Sequence, residues 1–498
     1  MQKSRIPLYK LYLMALLLLM PGTLLAKFDF NANCLKAYGL IFELKLNAAR
    51  QLIAAEKKNN PGNSIVPLLE NYTDFFQLLC TESKDDFEKL KGNKGRRLEQ
   101  IEDDKEQSPY SLYAQAEINL QWALIRGRFG EQFNAAMEIK KANAYLQENA
   151  KKYPAFKLND KGLGLINAVL GSLPDGLMKS TLATFGIKGN VKAGLVMMQR
   201  LVAGLPGSVY KPFYEEAVFY YSFVLVDVAH SENAYAETTK YVAKVSDASL
   251  LKSYLKAYVC AKKGHNEEAI STLANRPSGQ QYQSFPYLDY LMGVARLNKL
   301  DFTAGTYFNR FLQHNEGISY VKDSYLRLAW IELLSGDSKG YAQQLAKVKA
   351  SGYVINEKDK QALNEAGAPV PNPGLLKARL LFDGGYYPKS LEALSGVNEN
   401  DLKLVKDRTE YFYRLGRNQE ELGKMDAALD NYQKAVNYGK SLKAYFAANA
   451  ALFMGKIYMK KGNRAQAKTC FNTAINMKGH QYENSIESEA RDSLKRIN

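Results

Sequence analysis

Histidine, tryptophan and cysteine are scarce in this 498-residue sequence, which holds 4 His, 2 Trp and 4 Cys. The histidines, His230, His265, His314 and His480, stand alone, with no HExxH and no Cys or His at metal-ligand spacing. No metal ion and no cofactor is therefore expected. Cys34, Cys80, Cys260 and Cys470 form no CxxC, which excludes a redox dithiol motif and a zinc knuckle. A GxSxG nucleophile elbow is missing, and Gly186-Ile-Lys-Gly-Asn-Val-Lys lacks the Gly-Lys-Ser/Thr ending of a phosphate loop. No catalytic residue emerges, so the chain is expected not to be an enzyme.

What is present begins with an export pattern. Lys3, Arg5 and Lys10 precede an apolar run from Leu11 to Met20, followed by Pro21-Gly22 and the small residue Ala26. The run is too short to span a bilayer, and no stop-transfer segment follows. Residues 1–26 are expected to be a cleaved signal peptide, placing a bacterial protein in the periplasm or outside the cell. Cys34 follows Asn31-Ala32-Asn33 rather than a small-residue lipobox, which argues against a lipoprotein. Loss of Lys3, Arg5 and Lys10 lowers the formal net charge from +16 to +13. Such a charge favours acidic partners or peripheral contact with an anionic membrane surface. Nucleic acid is excluded by export and by the lack of an aromatic–basic RNA motif. Export also permits disulfides, and Cys34 and Cys80, both N-terminal, are the expected pair. Cys260 and Cys470 are expected as buried thiols.

From Tyr411 to Gly479 one spaced pattern occurs twice. Gly416 is followed by Ala428, Tyr432 and Ala435, and Gly455 by the same steps to Ala467, Phe471 and Ala474. Gly423 and Gly462 fall where a tight turn between two helices belongs. Two antiparallel helices cross closely only where small residues face each other, with an aromatic ring filling the space beside them. Weaker copies begin at Ala257, Gly293, Ala329 and Ala378. The longest step, from Ala329 to Ala378, contains Gly367, Pro369, Pro371 and Pro373 and reads as an inserted loop.

Upstream, Ser108-Pro109 opens a helical hairpin with Trp122 on its core face. A small-residue-rich apolar stretch runs from Gly162 to Leu195, cut by Pro174-Asp175 before it reaches spanning length. It is expected to be a sealed hairpin. The chain thus divides into a signal peptide (1–26), an N-terminal helical region (27–160), a glycine-rich apolar hairpin (161–210) and a repeat array (211–498).

The Gly–Ala–aromatic–Ala spacing resembles the tetratricopeptide repeat, although the leading Trp and closing Pro of that repeat are absent. The resemblance implies an all-α fold of helical hairpins stacked into a right-handed superhelix. The 162–195 stretch, with Ser172-Leu173-Pro174, Phe185-Gly-Ile-Lys-Gly189 and Gly194-Leu195, is similar to the signature of the tetratricopeptide repeat protein 39 and inclusion body clearance family. That similarity implies a helical protein without a catalytic centre, in a family associated with lipid droplets and protein quality control. It carries no functional residues over.

In such hairpins the first helix lines the groove. Its candidate groove residues are Tyr254, Tyr258, Tyr287, Tyr290 and Trp330, then Arg379, Phe382, Tyr413, Arg417, Lys456 and Lys460. Basic and aromatic groups on one wall suit a peptide carrying carboxylates. The expected function is a non-enzymatic protein-binding scaffold of the cell envelope. The alternative is a lipid- or membrane-associated helical protein using the apolar segment 162–195.

Overall fold

The computed structural model describes residues 28–103, 108–173 and 176–497; the expected signal peptide and the Pro174-Asp175 break lie outside the described residues. Among the described residues every regular element is helical. Six hairpins follow one another from Leu250 onward, each pairing two consecutive helices. They are Leu250–Lys262 with Asn266–Ala274, Tyr287–Asn298 with Ala304–His314, and Val321–Leu334 with Ser338–Ala350. Next come Pro373–Asp383 with Tyr387–Ser395, Val405–Glu421 with Met425–Gly439, and Phe446–Lys460 with Arg464–Asn476. The helix Glu483–Lys495 covers the last of them.

The expected packing residues sit at these crossings. A Cβ placed on Gly416 would stand 2.6 Å from the Tyr432 ring, and one on Gly455 2.5 Å from the Phe471 ring. The rings are fully buried and occupy the room that the missing side chains leave. Gly423 and Gly462 turn the hairpins at φ 77° and 74°, backbone that L side chains adopt only with strain. The long step between the third and fourth repeats is more than a loop. It holds the helix Glu357–Ala366, whose buried Asp359 accepts hydrogen bonds from the backbone of Tyr320 (2.6 Å) and Asp323 (3.0 Å). The prolines follow that helix, and the charge-rich sequence of the insert had masked its docked face.

The N-terminal region is built from the helices Ala32–Phe42, Leu46–Asn59, Val66–Thr81, Pro109–Arg128 and Gln132–Lys152, with shorter ones between. Ser108 caps the Pro109 helix by accepting from Tyr110 N. Trp122 is core, its Nε1 donating to Asn71 Oδ1 at 2.9 Å. This region does not stand apart from the repeats. Ser249 Oγ donates to Phe42 O (3.1 Å), Gln283 N to Leu44 O (2.7 Å) and Ile318 N to Glu82 O (3.2 Å). One apolar cluster accordingly runs from Phe28 to Met292, whereas the later repeats carry smaller clusters of their own.

The apolar stretch splits in two. The helix Asn159–Ser172 is crossed at backbone contact by Val191–Gly204, where a Cβ on Gly194 would meet Gly164 O at 2.5 Å. That half is sealed. The intervening helix Leu177–Thr184 buries Leu182 but leaves Leu177 and Phe185 exposed, so the whole stretch is not the closed hairpin expected. No helix among the described residues is long and apolar enough to cross a membrane.

The Cys34–Cys80 bridge is also corrected. All four cysteines are free and buried. Cys34 lies against Asn63, before the helix Val66–Thr81, while Cys80 lies in that helix's last turn. The helix separates these ends by roughly 20 Å at 1.5 Å per residue, far beyond disulfide reach.

At the centre of the N-terminal half is a buried polar knot. Lys161 Nζ touches Glu216 (2.5 Å), Glu117 (2.8 Å) and Tyr113 OH (2.9 Å), and Tyr38 and Tyr72 donate to Glu216 at 2.5 and 2.6 Å. These groups come from different helices and none reaches solvent, so the knot fixes how those helices meet.

Candidate functional site

The helices Pro373–Asp383, Val405–Glu421 and Phe446–Lys460 are the first helices of the last three hairpins. Residues three or four apart on each share a face. Arg379, Phe382 and Asp383 on the first, Tyr413, Arg414 and Arg417 on the second, and Asn449 on the third face one cavity of about 320 Å³. Lys358 and Gln361 of the inserted helix form another wall, and Tyr445, Tyr482 and Ile486 complete the lining.

Each arginine is held from behind by a carboxylate. Arg379 Nη1 donates to Glu365 at 3.0 Å, with its guanidinium 5.0 Å from the Trp330 ring centroid. Arg414 donates to Glu410 Oε1 through Nε (2.7 Å) and Nη2 (2.5 Å). Arg417 reaches Glu420 (3.0 Å) and Glu421 (3.1 Å), and its guanidinium lies between Phe453 at 3.9 Å and Phe382 at 5.1 Å. Burial disfavours charge on Glu410, but Arg414 and Arg379 outweigh it and hold the carboxyl below its ordinary range. The part-exposed Arg379–Glu365 pair adds at most about 1 kcal/mol, whereas the Arg414–Glu410 pair is buried and loses solvation for its attraction. Their effect is to orient the guanidinium groups before any ligand arrives.

The aromatic part is also fixed. Asn449 Nδ2 donates to Tyr413 OH at 2.9 Å. Tyr445 packs edge-on to Tyr413 (5.9 Å) and to Tyr482 (5.4 Å), and Tyr482 is 43% exposed, so one ring face stays open at the mouth. Among the lining residues four are cationic and one, Asp383, is anionic. Glu365, Glu410, Glu420 and Glu421 balance the arginines from behind, so an entering carboxylate would be held by Lys358 and by guanidinium N–H groups those glutamates leave open. Among the described residues no cluster of His, Cys, Asp and Glu is disposed to hold a metal ion.

Arg379, Phe382, Tyr413 and Arg417 thus meet in this cavity, whereas Lys456 and Lys460 do not line it. Lys456 pairs with Glu489 at 2.6 Å. Both lysines continue the face of Asn449, but they lie about 10 Å or more further along the helix, past the mouth. Arg414, Lys358, Tyr445 and Tyr482 are among the lining groups that repeat counting missed, with Gln361, Asp383, Asn449 and Ile486. Arg414 adjoins two expected positions and was within reach of that reasoning. Lys358 and Tyr482 lie outside the repeat pattern and are brought in by packing alone.

Residues 409–438 and 448–480, the fifth and sixth hairpins, match the sequence model of the Tetratricopeptide repeat family. No curated protein matches the chain. Among solved structures, the chain aligns with yeast Tom70 at 13% identity and a TM-score of 0.24, covering 93% of this chain and 96% of that one. The Cut9–Hcn1 hetero-tetramer of APC/C aligns at 12% identity and 0.23, over 94% and 96%. The TPR domain of P58(IPK) aligns at 11% identity and 0.21, over 76% and 98%.

Proposed function

We propose that this chain is a non-enzymatic protein-binding scaffold of the bacterial cell envelope, holding a carboxylate-bearing segment of a partner protein in the cavity of its last three repeats. One observation carries the reading: Arg379, Arg414 and Arg417, on two consecutive first helices, converge with Tyr413, Tyr445 and Tyr482 on one opening. Preset guanidinium groups give direction to an acidic side chain or chain end, and the open tyrosine gives contact area. Tetratricopeptide repeats serve generally as protein-interaction scaffolds, and two of them contribute to this cavity. The lipid alternative is not favoured, because no helix among the described residues is long and apolar enough to cross a membrane, and the 159–172 half of the apolar segment is sealed although Leu177 and Phe185 stay exposed. Kinship with the tetratricopeptide repeat protein 39 and inclusion body clearance family remains part of this proposal and rests on the 162–195 motif alone.

The test replaces two exposed groups at the mouth, Lys358 and Tyr482. Lys358→Glu with Tyr482→Ala should abolish capture of the partner from envelope extract, leaving melting and helicity unchanged. Capture by the wild type should weaken as salt rises, since the contacts are partly exposed. The same captured proteins from both forms would overturn the reading.

A further inference from the structure

A second cavity, of about 260 Å³, lies where the end of the helix Val66–Thr81 meets the first helices of the first two repeats. Half-buried rings wall it. Tyr254 packs against Tyr258 (5.7 Å) and Phe285 (5.1 Å), and Tyr287 against Tyr320 (4.9 Å). Its polar groups are Glu82, Arg128, Asp227, Asn315 and Ser319.

Glu82 and Tyr320 both line it, and both have left-handed backbone, at φ 49° and 65°. For residues other than glycine this costs roughly 1–2 kcal/mol each. The two segments are stitched together by the Ser83–Gly317 bridge and by Ile318 N donating to Glu82 O. Glu82 is 9% exposed, and Arg128 pairs with its Oε1. Its Oε2 has no hydrogen-bond partner among the described residues. That oxygen has almost no accessible surface, so a ligand meets instead the Arg128 guanidinium and the Asp227 carboxylate, whose side chains are 40% and 27% exposed.

The charges narrow the class of ligand. Glu82 is neutralised by Arg128, and Asp227 accepts from Tyr258 OH at 2.6 Å with Lys262 4.0 Å away. An entering ion would lose water without meeting an uncompensated charge. A purely apolar ligand would strip water from Arg128 and Asp227 without replacing its hydrogen bonds. Hydroxyl groups donate and accept at once, matching the carboxylate oxygens on one side and the Arg128 guanidinium and Tyr254 phenol on the other. The rings offer faces for an apolar C–H surface. We propose that this cavity binds a neutral polyhydroxylated ligand the size of one sugar ring, gripped by Tyr254, Asp227 and Arg128. The source is a free sugar or the terminal unit of a glycan.

The experiment uses the full chain with glucose, galactose, mannose and N-acetylglucosamine, each as the free sugar and as its methyl glycoside, read by saturation-transfer NMR and calorimetry. At least one free sugar or glycoside should bind the wild type, and Tyr254→Ala and Asp227→Asn should each weaken it by about tenfold or more. Tyr482→Ala, in the other cavity, should leave it unchanged, so this result and the peptide-capture result fail independently. Asp227→Asn keeps the shape of the site and serves if Tyr254→Ala melts early. Equal binding of the free sugar and its glycoside points to glycan ends, while loss with the glycoside points to free sugar. Silence from every sugar, binding of choline or arginine amide in their place, or wild-type affinity in both variants would overturn the proposal.

Discussion

Lys161 Nζ lies 2.5 Å from Glu216 Oε1, with both side chains shut off from solvent and Glu117 on the same ammonium group at 2.8 Å. One cation thus serves two buried carboxylates; Tyr38 and Tyr72 donate to Glu216, whereas Glu117 Oε1 has no partner among the described residues. A buried charge network is poor evidence of net stability, but removing one partner strands the others. Lys161→Met should therefore cost about 3–5 kcal/mol in urea unfolding. A loss below about 1 kcal/mol would show that water enters the knot.

The same knot makes stability depend on pH. Burial pushes the Glu117 carboxyl up to about 7 despite Lys161, and burial likewise pushes Glu215 up to about 7. Unfolded, both would titrate near 4.3. Between these values the native chain keeps protons that the unfolded chain has released, so stability falls as pH rises. The slope is up to about 1.4 kcal/mol per pH unit for each group. Glu56 and Glu410, held below their ordinary range, act in the opposite sense only at lower pH. Urea midpoints should decline from about pH 5 to pH 7. Glu117→Gln should flatten that decline; an unchanged slope would assign it to other groups.

The repeat glycines separate two opposing effects. Alanine is the better helix former by about 1 kcal/mol, but overpacking costs about 1–3 kcal/mol. At Gly416 and Gly455 the new Cβ would meet a buried ring at 2.6 and 2.5 Å, so Gly→Ala should destabilise. At Gly305 the nearest contacts are 3.8 Å, and the same change should stabilise by up to about 1 kcal/mol. Thermal melts of the three variants check both signs.

Burial pushes the thiols of Cys34 and Cys260 up to about 12 and that of Cys470 to about 11, with Cys80 raised as well. The native protein should scarcely react with a thiol reagent, and should titrate 4 thiols once unfolded without reductant. A count of two on unfolding would restore the disulfide.

N-terminal sequencing of the natural protein should read from Lys27. Intact Met1 recovered from the cytosol would refute export and the envelope setting with it.

Much of the array was legible because each repeat is stabilised by contacts close in sequence. Gly416 and Tyr432, or Gly455 and Phe471, belong to one hairpin, and their spacing alone predicts the crossing that the structure contains. Turn glycines are readable for the same reason, since a left-handed residue is a local demand. Of the eleven groove candidates taken from helical spacing, Arg379, Phe382, Tyr413 and Arg417 line the cavity of the last three repeats, and Tyr254, Tyr258 and Tyr287 line the other. Lys456 failed because spacing identifies a face and not how far along that face the cavity extends.

What depended on the tertiary structure were the meetings between distant segments. Glu357–Ala366 reads as charged insert until Asp359 is seen accepting the backbone of Tyr320 and Asp323. Tyr482 reaches the mouth beside Lys358, Glu82 meets Tyr320, and Lys161 gathers Glu117 and Glu216. Local sequence determined which helices form and how each pairs with the next, because small residues, rings and turn glycines act within one hairpin. Both cavities and the buried knot arise where non-neighbouring helices are pressed together, and no period along the chain records which polar groups that pressing brings face to face.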